Sequence, residues 1–215
     1  MKISRTRIKI CGIREPEHAH VAAEAGADAI GLVFYRESPR NLHDLQVAER
    51  IIDVLPAYVM AVGLFVNPSA AEVRSILEEI RLDLLQFQGD EPPEFCASFG
   101  LPYVRAVRME KGVDLVEYRR QFPGAKALLI DAHVPGQRGG TGQVFDWSAI
   151  PRSHPAPLIL SGGLTSGNVG RAIREVRPWA VDVSSGVEAS RGVKDPAKIV
   201  EFIRSVQSED AGQSA

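Results

Sequence analysis

The sequence has few cysteines, no strong net charge and no long apolar run, and each shortage excludes a class of protein. Its 215 residues include two cysteines, Cys11 and Cys96, too few for a disulfide framework. No apolar run approaches the roughly 20 residues that span a bilayer, and Met1 to Cys11 lacks the apolar segment of a secretory signal. The formal net charge of −2 indicates no basic surface for nucleic acid or for an anionic membrane. We therefore expect a cytoplasmic protein with reduced thiols and no nucleic-acid or membrane partner.

Motifs for nucleotides and metals are missing as well. The chain contains neither GxGxxG nor GxxxxGK[ST], the glycine-rich fingerprints of dinucleotide and P-loop sites. It also lacks the CxxC, HExxH and histidine-rich spacings that hold metal ions. The sequence therefore gives no indication of a metal.

Short β-rich runs alternate with helical patterns along the chain. Several runs are almost continuously apolar, which is typical of parallel strands covered on both faces. The predicted strands are Ile8–Gly12, Ala29–Phe34, Tyr58–Phe65, Leu84–Gln88, Tyr103–Val107, Ala127–Asp131, Leu158–Ser161 and Ala180–Ser184. Eight strands with intervening helices predict a single (β/α)8 TIM barrel, a closed parallel sheet of the α/β class. The alternative, an open doubly wound sheet, usually carries the nucleotide fingerprint that is missing here.

The predicted barrel is one domain, residues 1–206. Its last helix is predicted over Pro196–Val206, with Asp195 as N-cap and a proline in the first turn. Asn67-Pro68 gives the same signal for an earlier helix. The polar end, residues 207–215, is predicted to be a disordered C-terminal tail.

Two glycine-containing loops follow the last two predicted strands. Gly162-Gly163 comes after the seventh strand, and Ser184-Ser185-Gly186 comes after the eighth. Barrels often bind phosphate at this place, because backbone N–H groups form an anion site that glycine lets the ligand approach. Either loop alone is equally well explained as a simple turn, but the two together predict a phosphate site.

Cys11 and Asp131 end the first and sixth predicted strands, at the edge where barrel active sites lie. A cysteine there is either a small buried hydrophobe or, beside a positive charge, a thiolate base. An aspartate in a partly apolar setting can have a raised pKa and act as an acid, but it can equally cap a helix or pair with a cation. Cys96 lies away from the strand ends and is interpreted as structural. The glycine-rich loop Val134–Gly142 is either a cover that excludes water or an ordinary loop.

Arg40 follows the second predicted strand, and its planar guanidinium suits a carboxylate on a ligand. Its position alone does not rank it above Arg36 or Arg14.

At these residues the sequence resembles the phosphoribosylanthranilate isomerase family of the tryptophan pathway. The resemblance runs from residue 7 to about residue 205. The matching stretches are Lys9–Ile13, Ala25–Ala29, Val33–Tyr35 with Ser38–Arg40, Gly63–Asn67, Leu129–Ala132, Gly139–Gly142, Phe145–Trp147, Leu160–Leu164 and Asp182–Glu188.

The resemblance implies an isomerase that converts N-(5-phosphoribosyl)anthranilate to 1-(2-carboxyphenylamino)-1-deoxyribulose 5-phosphate, an Amadori rearrangement of a phosphosugar without metal or organic cofactor. It implies that Cys11 is the general base, that Asp131 is the general acid and that Arg40 holds the anthranilate carboxylate. The implied phosphate site consists of Gly162, Gly163, Ser184, Ser185 and Gly186. Gln88 and Asp182 are candidate substrate contacts, and the protein is expected to be a monomer or a homodimer.

One departure concerns Gln86-Phe87-Gln88-Gly89, where the family often has Gln-Leu-His-Gly. Because the amide of Gln88 cannot carry a proton, no acid–base role is expected at this position. Two other functions stay open at this point. One is the histidine-pathway aminoaldose isomerase, for which a carboxylate is expected in place of Cys11. The other is a non-catalytic phosphosugar-binding barrel, which needs neither Cys11 nor Asp131.

Overall fold

Eight parallel strands form a closed barrel in the computed structural model, which describes residues 5–109, 113–131, 147, 150 and 156–213. The strands are β1 (Arg7–Cys11), β2 (Ala29–Val33), β3 (Met60–Phe65), β4 (Leu84–Phe87), β5 (Tyr103–Arg108), β6 (Ala127–Asp131), β7 (Leu158–Ser161) and β8 (Ala180–Val183). Each pairs with the next in chain order, and β8 pairs with β1. The barrel class is therefore confirmed, and the open sheet is excluded.

Helices follow the strands on the outside of the barrel. They are α1 (Pro16–Ala25), α2 (Leu45–Asp53), α3 (Ala70–Glu79), α4 (Pro93–Cys96), α5 (Leu115–Gln121), α6 (Val169–Val176) and α7 (Pro196–Gln213). No helix in the described part of the chain is both long and apolar enough to cross a bilayer. Between β6 and β7 only Trp147, Ile150, Ala156 and Pro157 are described, so the predicted covering loop Val134–Gly142 lies outside the described residues.

Apolar side chains form two concentric cores, as the alternation of side chains along a strand requires. The inner core fills the barrel and consists of Val104, Ala106, Ala127, Leu129, Ile159 and Ala180. The outer core packs the other strand face against the helices and includes fully buried Ile10, Ile30, Phe87 and Phe202. A third, smaller cluster of Cys11, Val33 and Leu64 lies toward the carboxyl ends of the strands.

The start of α3 differs from the prediction that Asn67 is the N-cap. The helix begins at Ala70, where the Ser69 hydroxyl accepts from the Glu72 amide at 3.2 Å. The Glu72 carboxylate in turn accepts from the Ser69 amide at 2.8 Å. This reciprocal capping box satisfies two backbone donors, which a lone Asn cap does not. The Asn67 side chain instead accepts from the Asp90 amide at 2.6 Å and so joins two loops.

The C-terminal helix α7 runs for 18 residues, past the end that the sequence predicts. The predicted disordered tail is therefore wrong for residues 207–213, while the last two residues lie outside those described. The reason is tertiary: the Asp210 carboxylate accepts from the Thr6 amide at 2.7 Å and from its hydroxyl at 2.8 Å. The Asp195 cap of this helix is confirmed, since its carboxylate accepts from the Ala197 amide at 2.9 Å.

The chain after β8 forms a small substructure that contains a hairpin, which the sequence does not predict. A 3₁₀ turn, Ser185–Val187, is followed by two short antiparallel strands, β9 (Glu188–Ser190) and β10 (Val193–Lys194). This hairpin brings Glu188 and Lys194 back to the carboxyl end of the barrel.

Candidate active site

A cleft of about 690 Å³ lies at the carboxyl ends of the barrel strands. Its volume is in the range of small-molecule sites. Most of the residues that the sequence singles out line this cleft, namely Cys11, Arg40, Gln88, Asp131, Gly162, Gly163, Asp182, Ser184 and Ser185. The predicted acid and base, which are 120 positions apart in sequence, therefore face one space.

Cys11 lies at the end of β1 with only 4% of its surface exposed. Lys9, two residues earlier on the same strand, faces the same side of the sheet. The Lys9 Nζ donates to Asp182 Oδ1 of β8 at 2.7 Å, and both side chains are buried. The register of the closed barrel brings them together, because Lys9 pairs with Asp182 across β1 and β8.

Gly31 of β2 makes room for the sulfur. It pairs with Cys11, and a Cβ at position 31 would lie 2.7 Å from the Cys11 Sγ and 3.1 Å from the Lys9 Nζ. Real Cβ atoms do not approach that closely, so a side chain at this position would displace the thiol or the ammonium. Gly31 therefore permits the packing of thiol and ammonium at the end of β1.

Burial and charge act in opposite directions on these groups. Burial raises the pKa of the Cys11 thiol, and although Lys9 and Lys194 oppose that effect, the pKa stays above its ordinary value. Burial also disfavours the Lys9 ammonium, but the attraction of Asp182 and of Cys11 prevails and raises the pKa of Lys9. The charged form of Lys9 is therefore favoured beside the sulfur.

Arg40 is held by a carboxylate from the β9–β10 hairpin. Its Nε donates to Glu188 Oε1 at 2.6 Å and its Nη2 to Oε2 at 2.9 Å, a two-point fork. The Cβ that an alanine would add at Gly12 would lie 2.6 Å from the Arg40 Cδ, so the arginine stem packs over the end of β1. Since the fork occupies one edge of the guanidinium, the other edge is the one that can meet a ligand carboxylate.

Lys194 completes this group of charges. Its Nζ donates to Glu188 Oε1 at 3.0 Å and to the carbonyl oxygen of Ser184 at 2.8 Å. Burial lowers the pKa of Lys194 despite the attraction of Glu188. Burial would raise the pKa of Glu188, but hydrogen bonds from Arg40 and attraction to Lys194 lower it. The hairpin therefore fixes both the arginine and the loop that follows β8.

Asp131 ends β6 and is half buried. The Gln88 amide donates to Asp131 Oδ2 at 3.4 Å, and Gln86 donates to Gln88 Oε1 at 3.1 Å. Position 88, which departs from the family pattern, therefore contacts the predicted acid directly, and Gln86 in turn holds the Gln88 amide.

The two glycine-containing loops pack against one another beside the cleft. Gly162 and Gly163 adopt left-handed φ values of 87° and 67°, which glycine tolerates best. Asn168 Nδ2 donates to the Gly163 carbonyl at 2.9 Å and holds that loop. Gly186 is not itself among the residues lining the cleft; a Cβ there would lie 1.9 Å from the Leu164 carbonyl oxygen, so glycine at 186 lets the loops meet.

The sequence does not identify three residues of this site: Lys9, Glu188 and Lys194. The spacing of two between Lys9 and Cys11 is the one available signal, since strand alternation puts both on one face. Nothing comparable marks Glu188 and Lys194, because the β9–β10 hairpin brings them in. Among the described residues, no three histidine, cysteine, aspartate or glutamate side chains cluster as a metal site requires.

Fold and cleft together define the chain as a (β/α)8-barrel enzyme, with charged side chains and glycine-containing loops at the carboxyl ends of its strands. A family model for N-(5'phosphoribosyl)anthranilate (PRA) isomerase matches residues 8–205. The chain belongs to that family.

Individual relatives are similar to this chain in sequence or structure over nearly its whole length. The N-(5'-phosphoribosyl)anthranilate isomerase of Pseudomonas putida (strain W619) is 52% identical over 205 residues, which cover 95% of this chain and 99% of the relative. The crystal structure of phosphoribosyl anthranilate isomerase from Thermotoga maritima is similar with a TM-score of 0.85 and 40% identity, covering 94% of this chain and 99% of that one. A third structure, with a TM-score of 0.81, 38% identity and the same coverage, is described as a complex with reduced 1-(o-carboxyphenylamino)-1-deoxyribulose 5-phosphate.

Proposed function

We propose that Cys11 is the general base and Asp131 the general acid of the reaction that defines this family. That reaction is the Amadori rearrangement of N-(5-phosphoribosyl)anthranilate to 1-(2-carboxyphenylamino)-1-deoxyribulose 5-phosphate, in tryptophan biosynthesis. The observation that supports these roles is that a thiol of β1 and a carboxyl of β6 line one cleft. Membership of the family favours this reaction over the histidine-pathway isomerase and over a non-catalytic barrel.

The reaction begins with proton transfer to the substrate. Protonated Asp131 donates to the ribose ring oxygen, the C1′–O bond breaks, and the nitrogen lone pair forms an iminium at C1′. The Cys11 thiolate then takes the proton from C2′, and the C–H electron pair forms the C1′–C2′ double bond while neutralising the nitrogen. The resulting enolamine tautomerises to the ketone. The iminium acts as the electron sink, so the two side chains suffice as acid and base.

The phosphate and the carboxylate of the substrate require separate anchors. In this proposal the phosphate meets the backbone of Gly162, Gly163, Ser184 and Ser185, with Gly186 holding the two loops together. The exposed edge of the Arg40 guanidinium receives the anthranilate carboxylate. Val33, Leu64 and Tyr35 form an apolar wall nearby that suits an aromatic ring. Two anchors at opposite ends fix the reacting carbons between acid and base, which lowers the entropic part of the barrier.

Gln88 and Asp182 take supporting roles in this proposal. The Gln88 amide holds the Asp131 carboxyl by its hydrogen bond and transfers no proton. Asp182 holds the Lys9 ammonium and accepts from the Ser161 hydroxyl at 3.1 Å. A cytoplasmic location fits the proposal as well, because a base that acts as a thiolate has to stay reduced.

Loss of anthranilate fluorescence on incubation with phosphoribosylanthranilate measures this activity directly. Cys11→Ser and Asp131→Asn should each lower kcat by about 10²–10⁴-fold, since positioned acid–base groups contribute that much, with little change in KM. Cys96→Ala is the matched control, because it removes a buried thiol away from the cleft, and its kcat should stay near that of the unchanged enzyme. Normal turnover of Cys11→Ser or of Asp131→Asn would remove that residue from its role.

A further inference from the structure

Five charged side chains are grouped around the end of β1. Lys9, Arg40 and Lys194 are paired with two carboxylates, Asp182 and Glu188. Three cations against two carboxylates leave the group with one excess positive charge. Lys9, Asp182 and Lys194 are almost fully buried, so water screens this charge only weakly.

We propose that Lys9 is a positioning residue that keeps Cys11 available as a thiolate, and that Asp182 orients Lys9 and limits its effect. The inference rests on the proposed role of Cys11 as base. A thiolate at Cys11 would neutralise the excess charge of the group. Lys9 is suited to this role because its ammonium and the Cys11 sulfur both lie against Gly31, while Asp182 fixes the ammonium from β8.

The other neighbours of the sulfur leave this role to Lys9. β2 contributes Gly31, which carries no charge. The Arg40 side chain packs against the turn at Gly12, but its guanidinium is hydrogen-bonded to Glu188. From β10, Lys194 also attracts the thiolate, but its Nζ donates to Glu188 and to the loop after β8. Asp131 lines the same cleft from β6, three strands away from β1 in the closed barrel.

Burial opposes a thiolate at this position, so the nearby charges decide how much of it forms. Lys9 lowers the pKa of the Cys11 thiol and Asp182 raises it. Removing the charge of Lys9 should therefore decrease the thiolate population of Cys11, and removing the charge of Asp182 should increase it. If the Lys9–Asp182 pair served only to stabilise the barrel, breaking it from either side would disturb Cys11 in the same direction.

The test is the pH dependence of Cys11 alkylation by iodoacetamide, followed by mass spectrometry of the Cys11 peptide in the intact chain. Lys9→Met should lower the alkylation rate about tenfold or more at pH values well below the midpoint, because a tenfold drop there corresponds to a rise of one pKa unit. Asp182→Asn should raise the rate in the same pH range. Lys9→Arg keeps the charge and should restore most of the rate, and the acid limb of kcat/KM should shift with the alkylation midpoint.

The proposal is overturned if Lys9→Met and Asp182→Asn shift the midpoint in the same direction, or if neither shifts it. Should Lys9→Met fail to fold by circular dichroism, Asp182→Asn decides alone, and an unchanged or raised midpoint would count against the proposal. Alkylation reports the thiol whether or not the protein turns over substrate. A fully active Cys11→Ser enzyme would therefore refute the base role without altering this measurement.

Discussion

At the scale of single residues, the site is a set of charges that hold one another in place. Arg40 is a case in point: its guanidinium would be mobile in solvent, but the fork with Glu188 fixes its orientation. A fixed guanidinium loses less entropy when it binds a carboxylate. The cost is that one edge of the guanidinium is already committed before the substrate arrives.

Arg40→Ala should mainly weaken binding of the anthranilate end of the substrate. Charge-assisted hydrogen bonds contribute roughly 1.5–3 kcal/mol, so KM should rise at least about tenfold. Inhibition by inorganic phosphate, which meets only the phosphate loops, should change little. If substrate binding and inhibition by inorganic phosphate weakened equally, the assignment of Arg40 to the anthranilate carboxylate would be contradicted.

Glu188→Gln should have a smaller effect of the same kind. The neutral amide cannot accept the two-point fork, so Arg40 loses its fixed orientation and KM should rise several-fold to about tenfold. Glu201→Gln, on the exposed side of α7, is the matched control and should leave KM unchanged. A KM for Glu188→Gln equal to that of the control would show that the fork does not orient Arg40 for substrate.

At the scale of elements, neighbouring strands place small residues where the site needs space. Gly31 on β2 leaves room for Cys11 on the inner face, while Gly63 on β3 leaves room for Leu82 on the outer face. The two glycines lie on adjacent strands of one sheet, where Leu32 pairs with Gly63. Alanine substitutions at Gly31 and at Gly63 can therefore separate the effect of overpacking on stability from an effect on catalysis.

Gly31→Ala should destabilise the protein by about 1–3 kcal/mol, as overpacking does, and should lower kcat at least about tenfold because it displaces the sulfur. Gly63→Ala, whose Cβ would lie 2.5 Å from Leu82 Cδ1, should cost similar stability with kcat unchanged. Urea denaturation and turnover, measured on both variants, separate the two effects. Equal kcat in the two variants would show that the space beside Cys11 has no catalytic importance.

At the scale of the whole molecule, α7 connects the end of the chain to its beginning. It packs against α1 and α6, and Asp210 receives two hydrogen bonds from Thr6, which is buried just before β1. Because β1 carries Lys9 and Cys11, the C-terminal helix also supports the strand on which the proposed chemistry depends.

Asp210→Ala should lower the free energy of unfolding by roughly 1.5–3 kcal/mol, since it leaves the buried Thr6 donors without their charged acceptor. Ser208→Ala, an exposed substitution on the same helix, should change the stability by less than about 0.5 kcal/mol. Thermal unfolding followed by circular dichroism compares the two. Equal melting temperatures would mean that α7 does not hold β1 through this contact.

Much of the fold and part of the candidate site were predictable, because they depend on residues that are neighbours in sequence. Continuous apolar runs predict β6 and β7 with the observed bounds, and Asp195-Pro196 predicts the start of α7. Cys11 and Asp131 end strands, and a barrel puts all strand ends on one rim, so their common cleft follows from the pattern. The capping box at Ser69 was missed, because the reciprocal bonds with Glu72 set the start of α3 in place of Asn67. The full length of α7 was also missed, because the contact between Asp210 and Thr6 is tertiary.

The sequence by itself determined the order of strands and helices and the side chains at the strand ends, since both follow from local periodicity. Only the tertiary structure decided which charges meet. Lys9 and Asp182 are 173 positions apart, and Arg40 and Glu188 are 148 apart. These pairs exist because closing the barrel pairs its first strand with its last and because the β9–β10 hairpin returns to the rim. No local pattern encodes either register, since each depends on the whole chain having folded.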